Sequence, residues 1–344
     1  MAEAADLLPV ARAEEWLRGR IPGFSRIHAA QKTATGQSNP TFILETDAGR
    51  LVLRRKPPGR LLKSAHAVER EYRVLSALHG RGVPVPKPWC LCEDEAVLGT
   101  AFFVMEHVAG RCENDPRAPG LSRWTRAALY DDMNRCLAAL HALDPDAIGL
   151  SDFGRPGDYF ARQLSRWTAQ YRASQTEPQP QMEALIDWLG AHLPPEDGMV
   201  ALVHGDWRLD NLLFDPASGR ITAVLDWELS TLGHPLADLG AQIMQWQMPV
   251  GPDSRGLDGV DREASGIPSD AAYVARYAER RGWRAPPDMR FPVAFAFFRM
   301  AAILQGVRKR ALDGNASNPE KALRMGAYGP EFARRATRWI SAGS

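Results

Sequence analysis

The spacing of apolar positions changes period along this chain. Residues 10–18 carry a helical stripe, enough for one short amphipathic helix. The period then falls to two. Residues 26–31, 41–45 and 50–55 alternate as strands, the last two joined by the turn Thr46-Asp47-Ala48-Gly49. Residues 33–39 are small, polar and glycine-containing, a tight loop between strands. Pro57-Pro58-Gly59 ends the sheet segment. Helical spacing returns over 65–79, with Val68, Tyr72, Leu75 and Leu78 on one stripe. Val83-Pro84-Val85-Pro86-Lys87-Pro88 is stiff and extended. Residues 101–105 form an apolar run suited to a buried strand, and Val108-Ala109-Gly110 after it reads as a hinge.

Beyond the hinge the texture is helical. Residues 123–143, 159–171, 182–192 and 291–310 have helical spacing, and 199–203 and 221–225 are short β-type runs flanking an acidic motif. Residues 176–181 and 250–267 read as loops. The pattern predicts an α+β chain: a small β-rich N-terminal lobe over 1–107 and a larger α-helical lobe over 108–344. At 344 residues the chain suits two packed lobes better than one small core.

Charge narrows the partners. Lys plus Arg is 42 and Asp plus Glu 41, so a net charge of +1 gives no electrostatic reason to expect nucleic acid or an anionic membrane. Cys90, Cys92, Cys112 and Cys136 lack the spacing of a zinc site and suit buried free thiols in a reducing compartment. The acidic start lacks a signal-peptide pattern. The apolar stretch 293–304 is broken by Arg299 and is too short to span a bilayer. These features lead to the expectation of a soluble cytoplasmic protein with a small-molecule partner, monomeric or homodimeric.

The chemistry gathers in His204-Gly205-Asp206-Trp207-Arg208-Leu209-Asp210-Asn211 and Leu225-Asp226-Trp227-Glu228. Phosphoryl transfer needs a group to aim and deprotonate a hydroxyl, and hard oxygen ligands for a metal. Asp206 follows an apolar strand and suits the first task. Asn211, five residues on, has the D-x-x-x-x-N spacing of a kinase catalytic loop, and Asp226 ends the next strand; both suit the second. Each residue alone is an ordinary turn residue, and the combination carries the reading. His204 and His234 are read as loop-shaping side chains. Upstream, Thr35-Gly36-Gln37-Ser38-Asn39 can present N–H groups and a hydroxyl to phosphate. Arg54 and Lys56 share one strand face, within reach of a helix bearing Glu71. Arg299 lies in an apolar helix, either as a substrate-pocket group or paired to an acid such as Asp238 or Glu228.

Together these residues resemble the aminoglycoside phosphotransferase and choline kinase family, with its two-lobed protein-kinase-like fold. The resemblance implies ATP and Mg2+ as cofactors, Asp206 as the catalytic acid, and Asn211 and Asp226 as magnesium ligands. It implies Gly36, Ser38, Asn39, Arg54, Glu71, Glu106 and Val108 around the nucleotide, the last two through backbone groups near the adenine. Arg54 stands where the family has Lys, which leaves Arg54 or Lys56 for the phosphate contact and keeps a nucleotide-binding pseudokinase as an alternative. Residues 63–72, 233–239 and 297–306 resemble the kinase-like domain attached to certain acyl-CoA dehydrogenases. That likeness runs from about residue 24 to about residue 340 and implies a hydroxyacyl-CoA acceptor in 4-hydroxy acid catabolism. Arg208, Glu228 and Arg299 are the candidates for touching the acceptor. An aminoglycoside antibiotic is the alternative acceptor.

Overall fold

Alternating side chains build the first of two compact units. A computed structural model describes residues 8–33, 39–57, 67–155, 157–251, 254–316 and 318–342. The chain opens with α1 (Val10–Leu17), β1 (Ile27–Lys32), β2 (Thr41–Thr46) and β3 (Gly49–Arg55). β2 and β3 pair from Thr41↔Arg54 to Thr46↔Gly49, and Gly49 closes the turn at φ +91°, where a side chain would be strained. α2 (Val68–Leu78), β4 (Pro88–Cys92), α3 (Glu95–Leu98) and β5 (Phe102–Glu106) follow. The sheet is antiparallel in the order β1-β2-β3-β5-β4. Leu51 and Leu53 of β3 point into a cluster with Leu17, Phe42, Leu44 and Val104, and Arg54, next after Leu53, faces the other way, toward α2.

Two parts of this unit depart from the expected pattern. The stiff proline segment runs into β4, whose Trp89-Cys90-Leu91-Cys92 shows no polar alternation; Pro88 is tolerated as the first residue of an edge strand. α2 buries Glu71 and Val74 with Val68, Leu75 and Leu78, while Tyr72 is only half-buried. The expected hinge at 108–110 lies along a hairpin further on in the chain: Thr222 Oγ1 donates to the Ala109 carbonyl at 3.1 Å.

α4 (Arg123–Ala142), α5 (Tyr159–Ser174), α6 (Pro180–Ala191) and β6 (Ala201–Val203) begin the second unit. β7 (Leu212–Phe214) and β8 (Ile221–Val224) form the hairpin that groups with the first unit. β9 (Thr231–Gly233) pairs with β6, and α7 (Leu236–Trp246), α8 (Arg262–Ser265), α9 (Asp270–Arg280), α10 (Arg290–Leu312), α11 (Pro319–Gly326) and α12 (Gly329–Ala342) complete the chain. The first unit comprises residues up to Cys112 with Ile148–Leu150 and Asn211–Leu229; the remainder forms the second. α10 is the spine of the second unit, packed by α5, α6, α7, α11 and α12. Its 23 residues are long and apolar enough to cross a membrane by length and composition, which the shorter run expected from the sequence was not. A helix apolar on nearly every side suits the centre of a helical core, and most of α10 is buried there. Of the thiols, Cys92 and Cys136 are buried and Cys90 is half-buried, but Cys112 is exposed, against the expectation for all four.

Candidate active site

β6 ends at Val203 and the chain turns through His204-Gly205-Asp206, with Gly205 at φ +83°. His204 is fully buried, and its Nδ1 accepts from the Asp206 N–H at 3.2 Å, the loop-shaping role expected of it. Asp238, in the first turn of α7, holds the same loop. Its carboxylate accepts the His204 N–H at 2.6 Å and the Gly205 N–H at 2.8 Å. Gly240 lets α7 approach closely: a Cβ there would meet the Pro292 carbonyl oxygen at 2.7 Å.

Asp238 is buried, and burial alone would raise its pKa. Hydrogen bonds from His141 and the Gly205 N–H outweigh that and hold the carboxyl below its usual range. His141 Nε2 lies 3.2 Å from Asp238, and its Nδ1 lies 2.7 Å from the Tyr277 hydroxyl. Burial keeps His141 below its usual value, so the relay is Tyr277 O–H to neutral His141, and His141 Nε2–H to the Asp238 carboxylate. Arg299 approaches from α10. It does not pair with Asp238, as one expectation had it, because that carboxylate is occupied. Its two terminal nitrogens donate to the Gly205 carbonyl at 3.4 Å each. Asp238→Asn puts an NH2 group against one of two backbone N–H donors, and is expected to lower stability by about 2–3 kcal/mol. Urea unfolding measures it; an unchanged midpoint would show that Asp238 does not hold the loop.

Asp206 is part of a charge relay on the surface of this unit. Arg208 Nε lies 3.0 Å from Asp206 and 3.3 Å from Asp210, and Arg255 Nη1 lies 2.7 Å from the other oxygen of Asp210. Arg255 was not among the residues expected from sequence. It sits in the loop after α7 at φ +51°, rare for a residue with a side chain. Gly256 beside it has no room for a Cβ, which would lie 1.7 Å from the Met248 carbonyl oxygen. The only sequence signal was a loop rich in Gly, Asp and Ser. Asp206, Arg208 and Arg255 line a cleft of about 310 Å³ with side chains of α7, α10, α11 and α12. Its walls are mixed, with methionine, leucine and phenylalanine side chains beside polar and charged ones. That volume is at the lower end for small-molecule sites.

The other expected site residues lie in the first unit. The Leu225 N–H donates to the Asn211 carbonyl at 2.9 Å, where β7 and β8 pair, bringing Asn211 and Asp226 to one end of that hairpin. Asn211 is buried, and Asp226 has φ +64°, an outlier of the kind that concentrates at functional sites. Arg54 reaches three carboxylates: Glu71 through Nε at 3.2 Å, and Asp226 and Glu228 through Nη2 at 2.9 and 4.0 Å. Lys56 pairs instead with Glu69 at 2.8 Å, so the ion pair with Glu71 belongs to Arg54. Asn39 donates to Glu71 at 2.8 Å. Burial pushes the Glu71 carboxyl up to about 7, with Arg54 pulling the other way.

Asn211 and Asp226 offer an amide and a carboxylate oxygen, a hard donor pair that fits magnesium completed by water and phosphate. Asp226 already attracts a cation, the guanidinium of Arg54. Among the described residues no three His, Cys, Asp or Glu side chains gather as a metal group. At the end of β5, the Glu106 N–H donates to the Lys87 carbonyl, so only its carbonyl side can serve a ligand. Gly36 and Ser38 lie outside the described residues.

The model of the phosphotransferase enzyme family matches residues 30–291. Acyl-CoA dehydrogenase family member 10 of Mus musculus is 48% identical over 82% of this chain, which spans 26% of that longer protein. A crystal structure from Ralstonia eutropha JMP134, provisionally named an aminoglycoside phosphotransferase, is 46% identical with a TM-score of 0.89, covering 98% of this chain and 99% of that one. An aminoglycoside phosphotransferase solved with ADP and hygromycin B shares the fold at a TM-score of 0.62 and 18% identity, over 95% of this chain and 98% of that one.

Proposed function

This chain belongs to the phosphotransferase enzyme family, and on that premise we propose that it is an ATP- and magnesium-dependent kinase of a small hydroxylated molecule, a 4-hydroxyacyl-CoA above all. One observation carries the reading: Asp206 opens onto a cleft of about 310 Å³ in the helical unit. A hydroxyl in that cleft can donate a hydrogen bond to Asp206. Arg208 at 3.0 Å keeps the carboxylate aimed. As the acceptor oxygen bonds to the γ-phosphorus, the bond from that phosphorus to the bridging oxygen breaks. ADP leaves with that electron pair, and the hydroxyl proton passes to Asp206. Asn211 and Asp226 would hold magnesium, which when bound neutralises phosphate charge. Arg54, tied to Glu71 beside Asp226, offers a fixed guanidinium to a phosphate oxygen.

The longer relatives support the acyl thioester. The mouse protein carries an acyl-CoA dehydrogenase name, and this chain matches one part of it. The cleft supports it as well: its one lining carboxylate, Asp206, is paired with Arg208, while Arg255 and Lys321 add positive charge to the lining. A polycationic aminoglycoside needs the opposite balance. The test is a mass-spectrometric screen of ATP, Mg2+ and a panel of hydroxyacyl-CoA thioesters, amino alcohols and aminoglycosides. We expect one phosphate added to a 4-hydroxyacyl-CoA and none to an aminoglycoside. ATP binding with no product from any acceptor would overturn the kinase reading in favour of a nucleotide-binding module.

A further inference from the structure

The wall of the cleft facing Asp206 has a composition that bears on what enters it. Met244, Met248, Leu304 and Phe332 are buried there, and Met300 and Met325 are half-buried. Unbranched thioethers adapt their shape to an apolar ligand, a flexible chain included. The opening differs. Lys321, in the first turn of α11, is exposed and pairs with no acidic side chain among the described residues. Arg255 gives one terminal nitrogen to Asp210 and keeps 37% of its side chain exposed at the cleft. Arg208, by contrast, lies between Asp206 and Asp210 and is neutralised by them. The cleft is thus apolar and soft inside, cationic at its opening, with one carboxylate able to meet a hydroxyl.

We propose that Lys321 and Arg255 bind an anionic group at one end of the acceptor, while the methionine-rich wall takes its apolar chain and Asp206 meets its hydroxyl. The proposal rests on reading this cleft as the acceptor site, and it assigns specificity to two residues outside the acidic motif. The ligand is an amphipathic, hydroxylated anion. A carboxylate of a free hydroxy acid and the phosphates of its CoA thioester share that chemistry.

Isothermal titration of the whole chain separates the sources with three probes: 4-hydroxypentanoate, 4-hydroxypentanoyl-CoA and the neutral N-acetylcysteamine thioester of the same acid. Lys321 is exposed, so Lys321→Gln leaves the fold intact. It is expected to weaken binding of the CoA thioester about tenfold, the loss of one charged contact, and to leave the neutral thioester within about twofold. Arg255→Gln should act in the same direction, with Arg255→Lys restoring most of the affinity. If the free acid responds as the CoA thioester does, the anchor reads negative charge of either kind, carboxylate or phosphate; if only the CoA thioester responds, it reads phosphate. Equal shifts for charged and neutral thioesters, no shift for either, or no binding by the unmodified chain overturns the anchor. Turnover with ATP, measured in parallel, tests the kinase reading separately. Lys321-dependent binding without phosphorylation sinks that reading and keeps the anchor.

Discussion

Replacing Asp206 by alanine is expected to lower phosphoryl transfer about 10³-fold while nucleotide affinity stays within about twofold. The size follows from the loss of one positioned proton acceptor, which contributes on the order of 10²–10⁴. The selectivity follows from the residues involved. The candidate nucleotide and metal groups Arg54, Glu71, Asn211 and Asp226 belong to the first unit, and Asp206 to the second. Removing the Asp206 side chain therefore takes away no candidate nucleotide contact. The substitution does free Arg208 from one partner, but Asp210 at 3.3 Å retains it, so the loop should keep its shape. Single-turnover rates and nucleotide titration on the same preparation provide the measurement. Asp206→Ala turning over normally would show that the catalytic loop is wrongly assigned. Activity and nucleotide affinity falling together would point to collapse of the loop, with Asp206 then a structural residue.

The parts of this site that were legible in the sequence are those set by neighbours in the chain. Asp206, Asn211 and Asp226 stand at the ends of apolar runs, so local periodicity already placed them at strand ends and turns. The face shared by Arg54 and Lys56 was legible for the same reason, since strand period puts alternate residues together. Which of the two pairs with Glu71 was not, because that depends on how α2 packs across the sheet. Asp238 illustrates the limit. It is 34 residues from His204 and 97 from His141, and both contacts are buried. No period or spacing marks a carboxylate that gathers such distant partners. Arg255 was hidden by its loop, where Gly, Asp and Ser advertise a turn and say nothing of an ion pair with Asp210. β4 was missed because its residues lack polar alternation.

Arg54→Ala is expected to be the most damaging single change to the first unit. Glu71 is 3% exposed and Arg54 12%, so the pair is screened little by solvent. Removing one partner of a buried pair typically costs about 3–5 kcal/mol, because the other charge is left without compensation. Here three carboxylates lose the same counter-charge. In a protein of this size the loss corresponds to a fall in Tm of roughly 5 °C. The sign of its pH dependence follows from Glu71. Burial already raises that carboxyl to about 7, and Arg54 is what holds it down. Without Arg54 it rises further, so at about pH 6 Glu71 is neutral and needs no partner. A raised folded-state pKa favours the fold at low pH and disfavours it as pH climbs through that value. The Arg54→Ala penalty should therefore be smaller near pH 6 than near pH 8. Arg54→Lys keeps the charge but has one nitrogen where Arg54 uses two, Nε for Glu71 and Nη2 for Asp226. It should recover most of the stability and show whether the phosphate contact needs a fork or only a charge. Thermal unfolding of both variants across that pH range checks the argument. An Arg54→Ala protein as stable as the parent at about pH 8 would mean that the three carboxylates do not depend on Arg54.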